Sequence, residues 1–317
     1  MAALLLALRL VFPMFCYMLL GYGLQCGKIL KKPFFTEAGT KDINNLVFRV
    51  LLPLSVIQSI YKSNLKHGID WMVIGFVFVM TVGVFLLSWL ILPRFDSDRR
   101  RLPVMIQGAY KSNYVLMGTS IAAMLFGDDI GMAGVLVALT APLNNILAAI
   151  IFEHYRGGRV SPSAMAKKIL TNPLVASGLI GIALNLLSIP IPKYFMDNVI
   201  SKLAGMATPL ALIVLGATFR FDYASHYVKQ ISIVTVIRLI LVPLCAVPAA
   251  ILLGIRGVDL IAILICAATP AAVNSYPTAV SMGGDGDLAG AILAITSLLS
   301  VFTMCIWIAL VTGMGML

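Results

Sequence analysis

Long apolar runs separated by short polar stretches extend along this chain from one end to the other. A helix needs about 20 apolar residues to cross the hydrocarbon core of a bilayer. By that length the sequence predicts an all-α membrane protein with ten transmembrane helices. We call them segments 1 to 10, and they lie at residues 4–27, 42–61, 70–92, 103–126, 131–153, 169–189, 196–218, 228–253, 258–281 and 288–312.

The composition agrees with a membrane protein, and the sequence motifs give no support for an enzyme. Of 317 residues 60% are hydrophobic and 11% charged, with a mean hydropathy of +1.00, whereas soluble domains are roughly 45–50% apolar and about 25% charged. The five cysteines form no CxxC pair and the three histidines are scattered in loops, so we expect neither a disulfide framework nor a metal site. HExxH, GxSxG and Walker motifs are absent, and no cofactor is expected.

The positive charge lies in the short connections between segments. The net charge is +10, but this distribution follows the positive-inside rule rather than a nucleic-acid-binding pattern. The even-numbered connections hold little beyond Lys62, Lys66, Lys193 and Arg256. We therefore expect a multi-pass plasma-membrane protein with both termini extracytoplasmic. The odd-numbered, cytoplasmic connections hold Lys28, Lys31, Lys32, Lys41, Arg94, Arg99, Arg100, Arg101, Arg156, Arg159, Lys167, Lys168, Arg220 and Lys229.

The two halves of the chain resemble each other. Residues 127–140 and 283–296 agree without gaps at six of fourteen positions, and the same offset of 156 aligns Pro53-Leu54 with Pro209-Leu210. We divide the chain into a first repeat at 1–154, a cytoplasmic linker at 155–168 and a second repeat at 169–317. Because each repeat holds five helices, an odd number, the second must enter the membrane from the opposite side. Inverted repeats of this kind are typical of secondary transporters, whose substrate site lies near the midplane where helices are broken.

Segments 4 and 9 occupy equivalent places in the repeats and are the predicted broken helices. Segment 4 carries the polar run Gln107–Tyr114, and segment 9 reads Thr269-Pro270-Ala271-Ala272-Val273-Asn274-Ser275-Tyr276-Pro277. Two prolines remove backbone donors and obstruct the helical hydrogen-bond ladder. In a membrane the freed carbonyls must find partners or line a wet cavity. Proline kinks that only shape packing are the structural alternative.

Two cations lie well inside apolar segments, Lys111 in segment 4 and Arg238 in segment 8. A central cation costs about 2.5–3.5 kcal/mol on insertion scales and usually faces a cavity or a partner. We consider each as a counter-charge for an anionic substrate or as a coupling group; the alternatives are snorkelling and pairing with a helix C-terminus. No Asp or Glu lies in the middle of any segment, which favours an anionic substrate. Asn145 of segment 5 is a candidate wall of the site.

The stretches GAYKSNYVLMG (108–118) and ATPAAVNSYPTAVSMGGDGDLAG (268–290) resemble the auxin efflux carrier family, whose bacterial members include malate permease-type proteins. The resemblance implies an elevator-type carrier of organic anions, driven by membrane potential or a proton gradient, and a homodimer. It also implies that segments 4 and 9 unwind and cross at the substrate. The matching positions are Ser112, Asn113, Tyr114, Pro270, Ala271, Asn274 and Ser275. Plant members have Asn-Pro-Asn-Thr-Tyr in segment 4, where this chain reads Lys-Ser-Asn-Tyr-Val, and the long central loop of many plant members is missing.

Three other functions compete with this interpretation. A sodium-coupled bile-acid-type symporter shares the ten-helix inverted arrangement, but it needs acidic and amide groups for sodium, and carboxylates are missing here. Gly284-Asp285-Gly286-Asp287 satisfies the GxGD pattern of intramembrane proteases, yet no other segment supplies the Tyr-Asp partner that a shared-proton dyad requires. A non-transporting receptor that retains the broken helices is the third.

Overall fold

A computed structural model of the chain describes residues 2–25, 33–62, 70–114, 132–157, 166–167, 170–218 and 226–315. Within those ranges the regular secondary structure is helical apart from one isolated bridge. We number the helices after the predicted segments, so that α9a and α9b are the two parts of segment 9. They are α1 Ala2–Gln25, α2 Glu37–Lys62, α3 Trp71–Arg94, α4 Leu102–Tyr110, α5 Met132–Tyr155, α6 Pro173–Leu186, α7 Lys193–Thr218, α8 Val228–Leu252, α9a Gly257–Ala268, α9b Ser275–Ser281 and α10 Gly286–Gly313.

Several of these helices have the length and composition of membrane spans. In the described part of the chain, α2, α3, α7, α8 and α10 are long and apolar enough to cross a bilayer, and α6 and α9a are shorter apolar helices. The predicted all-helical, multi-pass membrane protein is therefore confirmed. Each predicted segment overlaps a described helix, but for segment 4 that helix spans only Leu102–Tyr110. Residues 115–131, which include the end of segment 4 and the first part of the 127–140 repeat, lie outside the described residues.

The helices pack in two groups. In the first group α7 contacts α1 and α2, and α2 contacts α6; in the second group α3, α5, α8 and α10 surround α4 and α9a. The groups also touch, since α1 contacts α10 and α6 contacts α5. The α1–α7 contact brings two backbones together at glycines, since a Cβ on Gly216 would clash with the carbonyl oxygen of Met18. Small residues at such crossings allow the close approach on which helix association in membranes depends.

Prolines explain two short π-type turns within the α-helices. In α2 the residues Val47–Leu51, and in α8 the residues Ile237–Leu241, form single π-type turns that end two residues before Pro53 and Pro243. A proline has no N–H for the carbonyl four residues earlier, and its ring clashes with that carbonyl. A π-turn just before the proline accommodates both problems without ending the helix.

Hydrogen bonds gather the connections at two opposite ends of the bundle. At one end Gln230 Nε2 donates to Asp96 Oδ2 at 2.6 Å and the Tyr227 hydroxyl donates to Asp285 Oδ2 at 2.9 Å, which joins connections 3, 7 and 9. At the other end Asn185 Nδ2 donates to the Ile60 carbonyl at 2.9 Å, which joins the ends of α6 and α2 that lead into connections 6 and 2. The odd-numbered and the even-numbered connections named here thus lie at different ends.

Candidate functional site

Two buried helices end near the centre of the second group. Every residue of α4 is buried, and the chain leaves the helix in an extended conformation at Lys111 (φ −82°, ψ 100°). Helix α9a ends the same way at Thr269 (φ −67°, ψ 152°). For α9a the cause is Pro270, which disfavours the helical conformation in the residue before it. The predicted break in segment 9 is confirmed, and the described part of segment 4 breaks at Lys111.

The two extended stretches cross and pair with each other. Ser112 and Ala271 form an antiparallel bridge. The Asn113 amide donates to the Pro270 carbonyl at 2.9 Å, and the Ala272 amide donates to the Lys111 carbonyl at 3.1 Å. These bonds satisfy backbone groups that the broken helices leave without intrahelical partners. The crossing is therefore a fixed element of backbone structure, from which neighbouring side chains project.

A small polar cavity lies beside the crossing. Its volume is about 40 Å³, enough for a few water molecules on the same measure, since one water needs roughly 10–15 Å³. No carboxylate is among the described side chains that line it. They come from both arms of the crossing and from three further helices: Leu52, Ser55, Val56, Lys111, Ser112, Asn113, Ala141, Asn144, Asn145, Thr208, Ala272, Val273 and Asn274.

Lys111 supplies the positive charge of this cavity. Its side chain is buried, with a relative exposure of 2%. The ammonium donates to Asn145 Oδ1 at 3.2 Å, a neutral acceptor, and among the described residues no carboxylate forms an ion pair with it. An ammonium offers three donors, so Lys111 keeps hydrogen-bonding capacity for a ligand.

Four amide atoms around the cavity are buried without a hydrogen-bond partner among the described residues. They are Asn113 Nδ2, Asn145 Nδ2, Asn144 Oδ1 and Asn274 Oδ1. Buried polar atoms in folded proteins are nearly always paired with protein or with water. Two of the four are donors that accompany the Lys111 ammonium, so the cavity presents several donors to one small volume.

The predicted site residues divide into two sets. Lys111, Ser112, Asn113, Asn145 and Asn274 line the cavity. The others lie elsewhere on the crossing: Ala271 donates its amide to Thr296 Oγ1 at 3.3 Å, the Ser275 amide donates to the Ala272 carbonyl at 2.9 Å, and the Tyr276 and Thr218 hydroxyls share a 2.6 Å hydrogen bond. Those outside the lining are Tyr114, Thr269, Pro270, Ala271, Ser275 and Tyr276.

Arg238 also lies outside the cavity lining. Its guanidinium is buried, with a relative exposure of 1%, and its described hydrogen bonds go to main-chain carbonyls at the ends of α4 and α9a. Arg238 therefore pairs with helix C-termini, which the sequence analysis gave as an alternative to its being a counter-charge for an anionic substrate.

Ser55 of α2 and Thr208 of α7 line the cavity, although sequence reasoning did not place them there. The sequence did contain a signal close to both residues, because the repeat alignment pairs Pro53, near Ser55, with Pro209, next to Thr208. The first group of helices therefore contributes to the wall of a cavity that the second group builds.

The sequence of the chain is similar to the sequences of known membrane transport proteins. Residues 6–161 and 158–308 match a family model described as membrane transport protein, and the two matches meet inside the predicted linker. An uncharacterized transporter of Methanothermobacter thermautotrophicus is 25% identical over 291 residues, which cover 91% of this chain and 93% of that protein. An uncharacterized transporter of Methanocaldococcus jannaschii is 22% identical over 300 residues, covering 91% and 94%.

Proposed function

The chain belongs to the membrane transport protein family, the auxin efflux carrier family that segments 4 and 9 resemble, and on that premise we propose that it is a secondary transporter of small organic anions. One observation carries the proposal: the crossing of α4 and α9a places the buried ammonium of Lys111 in a polar cavity whose described lining holds no carboxylate. The family consists of transporters, and the proposed activity is translocation without chemical change.

The chemistry of the cavity favours a carboxylate as cargo. Lys111 Nζ, Asn113 Nδ2 and Asn145 Nδ2 are hydrogen-bond donors around one volume. A carboxylate is acceptor-only and takes several hydrogen bonds at once. Hydrogen bonds between charged partners are stronger than neutral ones, and a low-dielectric surrounding strengthens them further. A cationic substrate would meet the Lys111 charge without an opposing carboxylate among the described lining residues.

The size and walls of the cavity support alternating access. A volume of about 40 Å³ is too small for a dicarboxylate, so substrate entry requires the walls to separate. The lining comes from α2 and α7 of the first helix group and from the second group. We propose that the second group moves against the first in an elevator-like step, driven by membrane potential or a proton gradient.

The proposed architecture is the inverted repeat of the sequence analysis, with halves at 1–154 and 169–317 joined by the linker at 155–168. It is supported by the aligned sequence motifs and by the gathering of odd and even connections at different ends. The orientation with both termini outside and the homodimer belong to the same proposal. Accessibility of single cysteines to impermeant reagents tests the first, and cross-linking in membranes tests the second.

A two-stage experiment tests the function. Purified protein is first screened by thermal shift against organic acids, inorganic anions, sugars and organic cations, because a bound ligand raises the unfolding temperature by mass action. Proteoliposomes then measure uptake of the best stabiliser under imposed potentials of either sign. We expect stabilisation by carboxylates and uptake that reverses direction with the potential. Stabilisation by cations or sugars alone would refute the proposal for an anion.

A further inference from the structure

Arg238 connects the two broken helices through their main chains. Its Nε donates to the Thr269 carbonyl at 2.9 Å, and its Nη2 donates to the Cys266 carbonyl at 2.5 Å. Its Nη1 donates to the carbonyls of Tyr110 at 3.2 Å and Ala109 at 3.4 Å. One side chain of α8 therefore binds the end of α4 and the end of α9a at the same time.

The carbonyls converge there because both helices stop. The last carbonyls of a helix lack intrahelical donors and carry the partial negative charge of the helix dipole. Two such ends meet beside the crossing, so the main chain alone creates a buried negative region. An unpaired buried carbonyl destabilises the folded protein, and carbonyls that converge in this way require either a cation between them or separation of the helix ends.

In secondary transporters with discontinuous helices, unwound carbonyls and half-helix C-terminal ends coordinate Na⁺ or are linked to H⁺. A guanidinium is permanently charged and presents five N–H donors in a fixed planar fork. We propose that Arg238 is a positioning residue whose tethered cation takes the place of a coupling metal cation on the Ala109, Tyr110, Cys266 and Thr269 carbonyls, so that the crossing forms without sodium. This proposal rests on the proposed function, since it assigns the crossing of a carrier.

The local structure of α8 holds the guanidinium in place. Arg238 lies in the π-type turn Ile237–Leu241, which precedes Pro243. Since Pro243 has no N–H, the carbonyl of Leu239 lacks its α-helical donor. Trp307 Nε1 of α10 donates to that carbonyl at 3.0 Å. Helix α8 is thus fixed against α10 one residue after Arg238, which makes the position of the cation a property of the fold.

Arg238 and Lys111 differ in their position relative to the cavity and in their hydrogen-bond acceptors. Lys111 lines the cavity and donates to a side-chain amide, whereas Arg238 is outside the lining and its described hydrogen bonds go to carbonyls. Substrate is therefore expected to bind near Lys111 without touching Arg238. Loss of Arg238 is expected to act on transport through the geometry of the crossing.

The first test needs no substrate. The unfolding temperature of the full-length protein is measured at one ionic strength in sodium, potassium and choline chloride, and again with guanidinium at low millimolar concentration. The wild type is expected to be indifferent to the cation. Arg238→Ala is expected to unfold at a lower temperature and to recover in guanidinium. Arg49→Ala, which removes an exposed arginine of α2, is the matched control and should show neither effect.

The second test measures uptake under an imposed potential in sodium-free liposomes. Arg238→Ala is expected to lose at least about tenfold in rate, the lower limit for a lost charged hydrogen bond, and external guanidinium should restore part of it. Arg238→Lys keeps the cation and is expected to lose less. This variant decides the question if Arg238→Ala does not fold.

Three results would overturn the proposal. The first is a wild type that only sodium stabilises, or that needs sodium for uptake. The second is an Arg238→Ala protein with the stability and the uptake rate of the wild type. The third is an Arg238→Lys protein that is as impaired as Arg238→Ala, with no response of either variant to guanidinium. If no organic acid is transported but the thermal measurements follow the expectation, the carrier function has failed and the assignment of Arg238 stands.

Discussion

Replacing Lys111 by methionine separates a binding role from a structural one. The substitution keeps a long flexible side chain and removes the ammonium that lies in the cavity with a relative exposure of 2%. If Lys111 holds the substrate, affinity falls while the folded protein persists. If Lys111 only supports the crossing, stability falls as well.

The expected magnitudes follow from the contacts. A carboxylate oxygen about 4 Å from Nζ interacts by about 4 kcal/mol at an effective dielectric constant of about 20, and desolvation reduces this to the 1.5–3 kcal/mol typical of a hydrogen bond to a charged group. The dissociation constant should therefore rise about 10–150-fold. In the unliganded protein the substitution has two opposite effects on stability. It removes a buried cation that costs about 2.5–3.5 kcal/mol on insertion scales, which stabilises the protein. It also leaves Asn145 Oδ1 unpaired, which destabilises the protein by about 1–3 kcal/mol. We expect little net change in stability.

The assay pairs two measurements on the same preparation. The unfolding temperature without ligand reports stability, and its rise with increasing concentrations of the stabilising organic acid gives the dissociation constant. Lys62→Met is the matched control, since Lys62 ends α2 at an exposed position where its ammonium donates to Ser201 Oγ at 3.2 Å. Lys62→Met should bind as the wild type does.

A Lys111→Met protein that binds and transports with wild-type constants would remove Lys111 from the site and refute the reasoning from the cavity. Equal losses of stability and affinity would assign Lys111 to the fold instead. Lys111→Arg, which keeps the charge, should bind better than Lys111→Met if charge is what the ligand recognises.

Two further predictions concern the scaffold and the polar end of the bundle. Gly216→Ala places a methyl group against the Met18 carbonyl oxygen and should destabilise the protein by about 1–3 kcal/mol, measured as a lower unfolding temperature. Gly205→Ala in the same helix meets nothing within 4 Å and should leave the unfolding temperature unchanged; equal effects would contradict the close α1–α7 contact. Burial and the neighbouring Asp285 raise the pKa of Tyr227 from 10.0 to about 12, so the folded state keeps this proton longer than the unfolded state and stability should fall as pH rises from about 10 to 12. Unfolding temperatures of Tyr227→Phe should lack that fall; an identical pH profile would contradict the assignment.

Hydrophobic length placed the helices well, because a bilayer imposes a minimum apolar run on every span. The predicted 70–92 and 228–253 correspond to Trp71–Arg94 and Val228–Leu252. Polar contacts with partners far along the chain are harder to foresee. Segment 2 begins earlier than predicted because Thr36 caps α2, its side chain accepting from the Gly39 amide, and the following polar turn remains helical.

The site was predictable where a residue type has a local effect. Pro270 breaks its own helix, and Lys111 inside an apolar segment requires a cavity or partner whatever the fold. The exclusion of Tyr276 and Thr269 from the lining depends on contacts with α7 and α8, which no local pattern contains. Ser55 and Thr208 enter the site through helix packing, and only the repeat, which aligns Pro53 with Pro209, pointed to their neighbourhood.

The two buried cations show why an embedded charge alone does not define a function. Both cost free energy to bury, and both would be the same signal in a hydropathy plot. What separates them is the acceptor each one meets. Arg238 donates to four main-chain carbonyls at two helix ends, while Lys111 donates to one amide oxygen and lies in a cavity. A cation whose described hydrogen bonds go to the main chain is expected to stabilise a conformation, and a cation that lies in a cavity with donors to spare is expected to bind what enters. On the proposed function we therefore expect the ammonium of Lys111 to attract the substrate, at a crossing whose shape Arg238 is proposed to maintain.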